Sequence, residues 1–360
     1  MTYTIAFSPW AGNYICQMRR HRLEFSIMNG TSTKKINWGI LGCANIARRQ
    51  WIGAIKQTSA GRVGAIASRS REKANQWARE MEIPKSYGSY EELLADMEIE
   101  AIFTALPNAL HREWVIKSLE AGKHVLCDKP LGVNAAEAQD MVAAAEGNNR
   151  LLMEGFMYQY HDQYEVIRRW IDQGRIGRLR MIRVGFSFFF DRPGDFRYDP
   201  KLGGGALLDL GCYCVHIARL LTQAQVRKVQ AVSVMNDTGV DWTTIAILIF
   251  EKDITAIIDC SFGYAGGRFL HVAGTEGMIC SDRPVSHGEE AVLTLSNNNQ
   301  EEIDRTVIKA SNLYIDCVED FQQRLIQGHL TPCPTRDAIE NMRVLDAIAL
   351  SSEKGVTVVL

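Results

Sequence analysis

Short apolar runs alternate with helical periodicity through the first half of the chain. Ile36-Asn37-Trp38-Gly39-Ile40-Leu41 has the length and composition of a strand, and a helix follows through Arg48 to Lys56. Apolar runs recur at Arg62 to Ala67, Ala101 to Leu106, His124 to Cys127 and Leu151 to Met153. Helices are predicted from Tyr90 to Met97, from His111 to Ala121 and from Ala135 to Glu146. Such alternation predicts an α/β unit built on a doubly wound parallel sheet, with its ligand at the carboxyl ends of the strands.

From Leu179 the pattern changes. Runs at Leu179 to Phe190, Arg227 to Met235, Thr243 to Phe250, Ile254 to Phe262 and Phe269 to Ala273 read as strands. Met278 to Cys280, Ala291 to Leu295 and Ile303 to Ile308 continue the series with few helices between them. This half is expected to form a large open, mainly antiparallel sheet, one broad apolar face of which could meet another subunit. Thr335 to Lys354 reads as a final long helix, with Ala338, Met342, Leu345 and Ile348 on one face, packing back toward the first domain. The expected boundaries are an extension at 1–34, a nucleotide-binding domain at 35–154, a substrate and oligomerisation domain at 155–334, and a terminal helix and tail at 335–360. Met1 to Ile27 lacks periodicity, and Arg19, Arg20, His21 and Arg22 are followed by no signal-type apolar segment. The extension is read as disordered or mistranslated, with Met28 as the start of the working protein.

Composition narrows the class. The 360 residues are 46% hydrophobic and 23% charged, which suits about two globular domains at ~150 residues each. Forty basic against 42 acidic residues give a net charge of −2, which argues against a nucleic-acid partner. No apolar run approaches the ~20 residues that span a bilayer, so no membrane partner is expected. Nine cysteines without a CxxC pair read as reduced, buried thiols of a cytoplasmic protein, and no zinc or other metal site is expected.

Candidate chemistry gathers at the ends of the strands. Gly42-Cys43-Ala44-Asn45-Ile46-Ala47 fits a G-x-G-x-x-G/A turn with alanine at the second and third small positions. The glycine permits the tight turn, and the small second residue lets backbone approach a pyrophosphate. Alone, the motif also fits any strand–turn–helix. The next strand ends at Ser68-Arg69-Ser70, with Lys73 a turn later, where an NAD-binding protein usually carries Asp or Glu. A guanidinium can fork onto a phosphate, so NADP is expected over NAD, although the same residues would also make an ordinary solvated turn. Leu106, Pro107, Asn108, His111, Asp128 and Lys129 fall at the remaining strand ends.

In the second half the densest chemistry follows Gly203-Gly204-Gly205. Asp209, Tyr213 and His216 stand at i, i+4 and i+7, on one face of a helix beginning near Ala206. They form either a site or a capping aspartate with amphipathic core residues. Tyr158, Tyr160, His161, Arg197 and Asp199 are further polar candidates, and Phe186, Phe188, Phe189, Phe190 and Phe196 supply aromatic surface.

Trp38-Gly39-Ile40-Leu41-Gly42-Cys43-Ala44-Asn45-Ile46-Ala47 resembles the opening of the Gfo/Idh/MocA oxidoreductases. Asp128-Lys129-Pro130 resembles their Glu-Lys-Pro motif. Glu154-Gly155-Phe156-Met157-Tyr158 and the run from Gly203 to Tyr213 extend the resemblance from Lys35 to about Lys354. The nearest branch holds glucose–fructose oxidoreductase, NADP-dependent D-xylose dehydrogenase and dimeric dihydrodiol dehydrogenase. The resemblance implies a Rossmann domain, an α/β domain whose open sheet supports a homodimer or homotetramer, a nicotinamide cofactor, and a catalytic lysine at Lys129. Many members place His four residues after the helix Asp; here Tyr213 stands there, as in the named branch. Asp128 is one carbon shorter than the usual Glu.

The activity so implied is hydride transfer between nicotinamide and the carbinol carbon of a sugar or polyol, an aldose giving an aldonolactone. A trans-dihydrodiol substrate is the alternative that the phenylalanines favour. A non-catalytic nucleotide-binding sensor is another, and it would have no need of both Lys129 and Tyr213. Free tyrosine, with a pKa of ~10, is a poor base near neutrality, and a neighbouring ammonium lowers that value. Tyr213 is therefore expected to exchange the proton while Lys129 tunes it and orients the substrate oxygen; the reverse division stays open. Cofactor contacts are expected from Gly42, Cys43, Ala44, Asn45, Ile46, Ser68, Arg69, Ser70, Lys73, Leu106, Pro107, Asn108, His111, Asp128 and Lys129. Substrate contacts are expected from Tyr158, Arg197, Asp209, Tyr213 and His216, the last either a partner of Tyr213 or a packing residue.

Overall fold

The computed structural model describes Tyr3–Thr4, residues 35–330 and residues 335–360. Apart from Tyr3–Thr4, the extension at 1–34 lies outside the described residues. The chain divides into two compact units, and each is described by itself.

The first unit runs to Met157 and takes in Asn312–Ile339 as well. Its strands are β1 (Ile36–Leu41), β2 (Gly61–Ala67), β3 (Lys85–Tyr87), β4 (Ala101–Thr104), β5 (His124–Cys127) and β6 (Leu152–Glu154). They pair in parallel in the order β3-β2-β1-β4-β5-β6, the order of a dinucleotide-binding sheet. All six residues of β1 are buried, as a central parallel strand covered on both faces requires. The helix Leu313–Ile326 joins this unit from far along the chain. Its Phe321 packs on Trp38 at 4.9 Å between ring centroids, and Tyr314 meets Trp51 edge-on at 4.9 Å. Gln322 donates to Thr58 Oγ1 at 3.1 Å.

The second unit comprises Tyr158–Ser311 and Glu340–Leu360, with Tyr3–Thr4. Its strands are β7 (Leu179–Ser187), β8 (Val226–Met235), β9 (Asp241–Phe250), β10 (Thr255–Ser261), β11 (Gly267–Gly274), β12 (Gly277–Ser281), β13 (Ala291–Asn297), β14 (Glu302–Ile308) and β15 (Val358–Val359). With Tyr3–Thr4 at one edge they form a ten-stranded sheet in the order β15-β8-β9-β10-β7-β11-β12-β13-β14. Only β10–β7 and Tyr3–Thr4–β15 pair in parallel. Alternation along the strands sends one set of side chains inward: Val229, Leu248, Ala256, Ile182, Val272, Ile279 and Leu295 are fully buried. Against that face lies the helix Cys212–Thr222, in contact with β7 and β10.

The terminal helix is Arg336–Lys354, and from Glu340 onward it groups with the second unit. Its Asn341 there donates to Cys212 O at 3.2 Å. Contrary to the sequence reading, one stretch is long and apolar enough to cross a bilayer, Pro200–Thr222. Its most apolar window is 83% buried within the fold, because this helix fills the core beneath the open sheet. Of the seven described cysteines, Cys127, Cys212, Cys214, Cys260 and Cys317 are buried, and Cys43 and Cys280 half-buried. Among the described residues no cluster of three metal-ligating side chains occurs.

Candidate active site

In the first unit the expected residues converge because neighbouring parallel strands end together. The loops after β2, β1, β4 and β5 carry Ser68, Gly42, Leu106 and Asp128 respectively, along one edge of the sheet. Gly42 has φ +94°, and a Cβ there would lie 2.9 Å from Ala105 O, so the turn admits only glycine. Its N–H donates to Ala67 O at 3.0 Å. Cys43, Ala44 and Ile46 are half-buried and Asn45 exposed ahead of a π turn, Ala47–Trp51, that leads into the helix Ile52–Gln57. Burial pushes the Cys43 thiol pKa up, against the opposing influence of Lys73 and a hydrogen bond with Ser68.

After β2 the chain presents hydroxyls and cations. Ser68 is buried, and its Oγ accepts the Ser70 N–H at 3.2 Å. Ser70 Oγ in turn accepts the Lys73 N–H at 3.2 Å and caps the helix Arg71–Glu80. Arg69, Ser70 and Lys73 are exposed. Glu72 stands in the first turn of that helix, and Glu92 is occupied by Arg71 at 2.6 Å.

The Leu106 and Lys129 loops are tied together by His111. This ring is completely buried, with Nδ1 2.9 Å from Pro130 O and Nε2 2.9 Å from Leu106 O. Burial lowers its pKa, while the two carbonyls favour the proton. His111 therefore acts on the site through the backbone it holds. Sequence reasoning gave no separate role to Glu154, at the end of β6. Its Oε1 accepts the Leu131 N–H at 2.7 Å and fixes the turn beyond Lys129 and Pro130, whose peptide is cis. Asp128 N–H donates to Thr104 O at 3.1 Å, Asp128 Oδ1 accepts the Lys129 N–H at 3.1 Å, and Asn108 is buried beside Pro107.

These residues fit a dinucleotide: a glycine cradle that a Cβ would fill, a π turn and helix beyond it, and cationic and hydroxyl groups after β2. Gly42 to Ile46 would hold the pyrophosphate, and Ser68 to Lys73 the adenosine end.

In the second unit the helix bearing Asp209 and Tyr213 opens with a π turn, Leu207–Gly211, before the α-helix Cys212–Thr222. The regular i, i+4, i+7 spacing thus applies only from Cys212 onward, since the π turn inserts an extra residue. Asp209 Oδ2 accepts from Arg197 Nε at 2.6 Å, and Arg197 Nη1 reaches Asp195 Oδ1 at 3.1 Å. Against its own burial, Asp209 and then Asp195 hold the guanidinium firmly charged. Tyr158 is 0% exposed and its hydroxyl bonds His216 Nδ1, so these two side chains engage each other inside the unit. The Tyr213 ring packs edge-on against Tyr158 at 5.6 Å and Phe186 at 5.8 Å. His161 is buried on Glu289 O at 3.0 Å. Phe188, Phe190, Phe262, Tyr198 and Trp242 form one aromatic cluster, while Phe189 faces solvent.

Known proteins match both halves. Residues 36–156 match the model of the oxidoreductase family with an NAD-binding Rossmann fold, and residues 164–280 the GFO/IDH/MocA C-terminal domain. D-xylose 1-dehydrogenase (NADP(+)) 2 of Haloferax volcanii is 33% identical over 90% of this chain and 99% of its own length. Trans-1,2-dihydrobenzene-1,2-diol dehydrogenase of Mus musculus is 36% identical over 68% of this chain and 73% of its own. A 3-ketoreductase from Actinomadura kijaniata, solved with NADP and TDP-benzene, superposes with TM-score 0.83 at 28% identity, covering 88% of this chain and 98% of that one. With both halves so matched, the chain belongs to the Gfo/Idh/MocA family and is an NAD(P)-dependent oxidoreductase acting on CH–OH groups.

Proposed function

We propose that this enzyme is an NADP-dependent dehydrogenase of sugars or polyols, oxidising an aldose to its lactone. The observation that carries the reading is a division of labour between two kinds of group. One unit offers a dinucleotide cradle with cations where an NAD enzyme keeps a carboxylate. The other offers a tyrosine four residues after a buried aspartate that a half-buried arginine holds, groups suited to hydroxyls and protons. Bound NADP would accept or return the hydride. Tyr213 moves the hydroxyl proton, Lys129 favours its phenolate and orients the substrate oxygen, and Asp209, held by Arg197, bonds a neighbouring hydroxyl. Tyr158 and His216 back the Tyr213 ring. A small-molecule substrate, a homodimer or homotetramer, and a cytoplasmic location complete the proposal.

A second reading, trans-dihydrodiol oxidation, rests on the aromatic cluster around Phe190 and Trp242. The test is formation of reduced nicotinamide with NADP or NAD against aldoses, polyols and a trans-dihydrodiol. The expected outcome is turnover of an aldose with NADP preferred. Lys129→Ala and Tyr213→Phe should each lose about a hundredfold or more in kcat, as removal of a general acid–base does. Turnover of the dihydrodiol alone would favour the second reading. Full activity in both variants would overturn the assignment of the proton.

A further inference from the structure

Beneath the helix that carries Asp209 and Tyr213 lies a carboxylate to which the function above gives no role. Asp241 opens β9 at a register shift against Met235 of β8. Its Oδ2 accepts the Leu207 N–H at 2.6 Å and the Thr244 hydroxyl at 3.1 Å. Leu207 is the first residue of the π turn, where a helix leaves its N–H groups without partners of its own. Gly205 makes the approach possible: its φ is +108°, and a Cβ there would stand 2.1 Å from Asp241 Oδ1.

We propose that Asp241 is a positioning residue for Tyr213 and Asp209, its carboxylate locking the first turn of their helix. The proposal rests on Tyr213 and Asp209 acting on the substrate hydroxyls as described above. Burial pushes the Asp241 pKa up to about 6, against the hydrogen bonds from Leu207, Thr244, its own N–H and Ala206. Among the described residues no cation figures in the groups acting on it, and the titratable side chain it influences from the neighbouring strand is Cys260 of β10.

The experiment compares Asp241→Ala, Asp241→Asn and Thr244→Val with the wild type in the full-length enzyme. Three quantities are read: amide exchange of the 205–213 segment, kcat and KM for the aldose, and the Kd for NADP. In Asp241→Ala, exchange in that segment should rise and kcat fall about tenfold, the scale of a lost helix cap. KM and the NADP Kd should stay within about twofold. Asp241→Asn, which keeps an acceptor, should restore most of both, and Thr244→Val should show a smaller fall of the same kind. A folded Asp241→Ala with unchanged exchange and kcat would overturn the proposal. So would a general rise in exchange with no preference for 205–213, which marks a merely structural role. If Asp241→Ala does not fold, the same outcomes are read from Thr244→Val. A wild type that turns over no carbinol substrate would sink the functional reading, while the exchange comparison still decides whether Asp241 holds the helix.

Discussion

Arg69 stands exposed two residues after β2 and acts on Tyr90, whose phenol pKa is raised by burial and lowered in part by the charge and hydrogen bond of that guanidinium. A guanidinium so exposed can turn onto a phosphate. Charge-assisted hydrogen bonds of this kind are worth ~1.5–3 kcal/mol. Arg69→Ala should therefore raise the KM for NADP by about 10- to 100-fold and that for NAD by less than about threefold. Initial rates against both cofactors check this, and equal losses would remove Arg69 from the 2′-phosphate. This residue was legible in the sequence because it sits in register with Gly42, one strand on. Asp241 was not, because Asn236-Asp237-Thr238-Gly239-Val240-Asp241 reads as a solvated turn. Its carboxylate is covered by the glycine loop, a contact that only the folded chain makes.

Elements were legible where their local pattern agreed with their surroundings. Strand ends in the first unit could be placed because parallel strands buried on both faces are short apolar runs bounded by polar loops. The helix Leu313–Ile326 was not anticipated, since its apolar stripe is explained by Trp38 and Trp51, far earlier in the chain. The π turn at Leu207–Gly211 leaves no mark on periodicity over so few residues. One strand also carries a pH dependence of its own. At the start of β5, His124 Nδ1 accepts the Leu151 N–H at 2.9 Å, which requires an unprotonated nitrogen. Burial, then Arg150, lowers its pKa from 6.5 to about 4, with Glu100 opposing. A base with a depressed folded pKa stabilises the fold above its unfolded value, and that contribution is lost as pH falls from 6.5 to about 4. The loss should reach about 2 kcal/mol, after allowance for partial exposure. Histidine-to-asparagine at 124 keeps an acceptor and should remove that part of the acid sensitivity from a Tm–pH profile. Parallel profiles for both proteins would show that His124 contributes nothing.

At the scale of the whole molecule the open sheet has one face covered by helix and another that, among the described residues, carries exposed side chains. Partners across the ladder place Gln230, Ile247, Ile257, Arg183, His271, Cys280, Thr294 and Arg305 on a single outward row. Around Ile247, the side chains of Val232, Val234, Ile245 and Ile249 are exposed, Val232 by 69% and Ile245 by 52%. Ile303 and Val307 repeat the feature on β14. β-Branched residues at successive outward positions of adjacent strands form a contiguous apolar patch, which monomers rarely leave in water. A second copy presenting the same face would bury both patches about a twofold axis. The sequence showed the size of the sheet but not this patch, because which alternate residues face outward depends on register. The enzyme should therefore run in light scattering at twice or four times its 40.4 kDa chain mass. Ile247→Arg, placing a charge at the centre of the patch, should lower the mass and leave NADP affinity within about twofold, since a buried unpaired charge costs an interface several kcal/mol. A wild type that is monomeric at micromolar concentration, or an Ile247→Arg assembly as large as the wild type, would show that this face is not where copies meet.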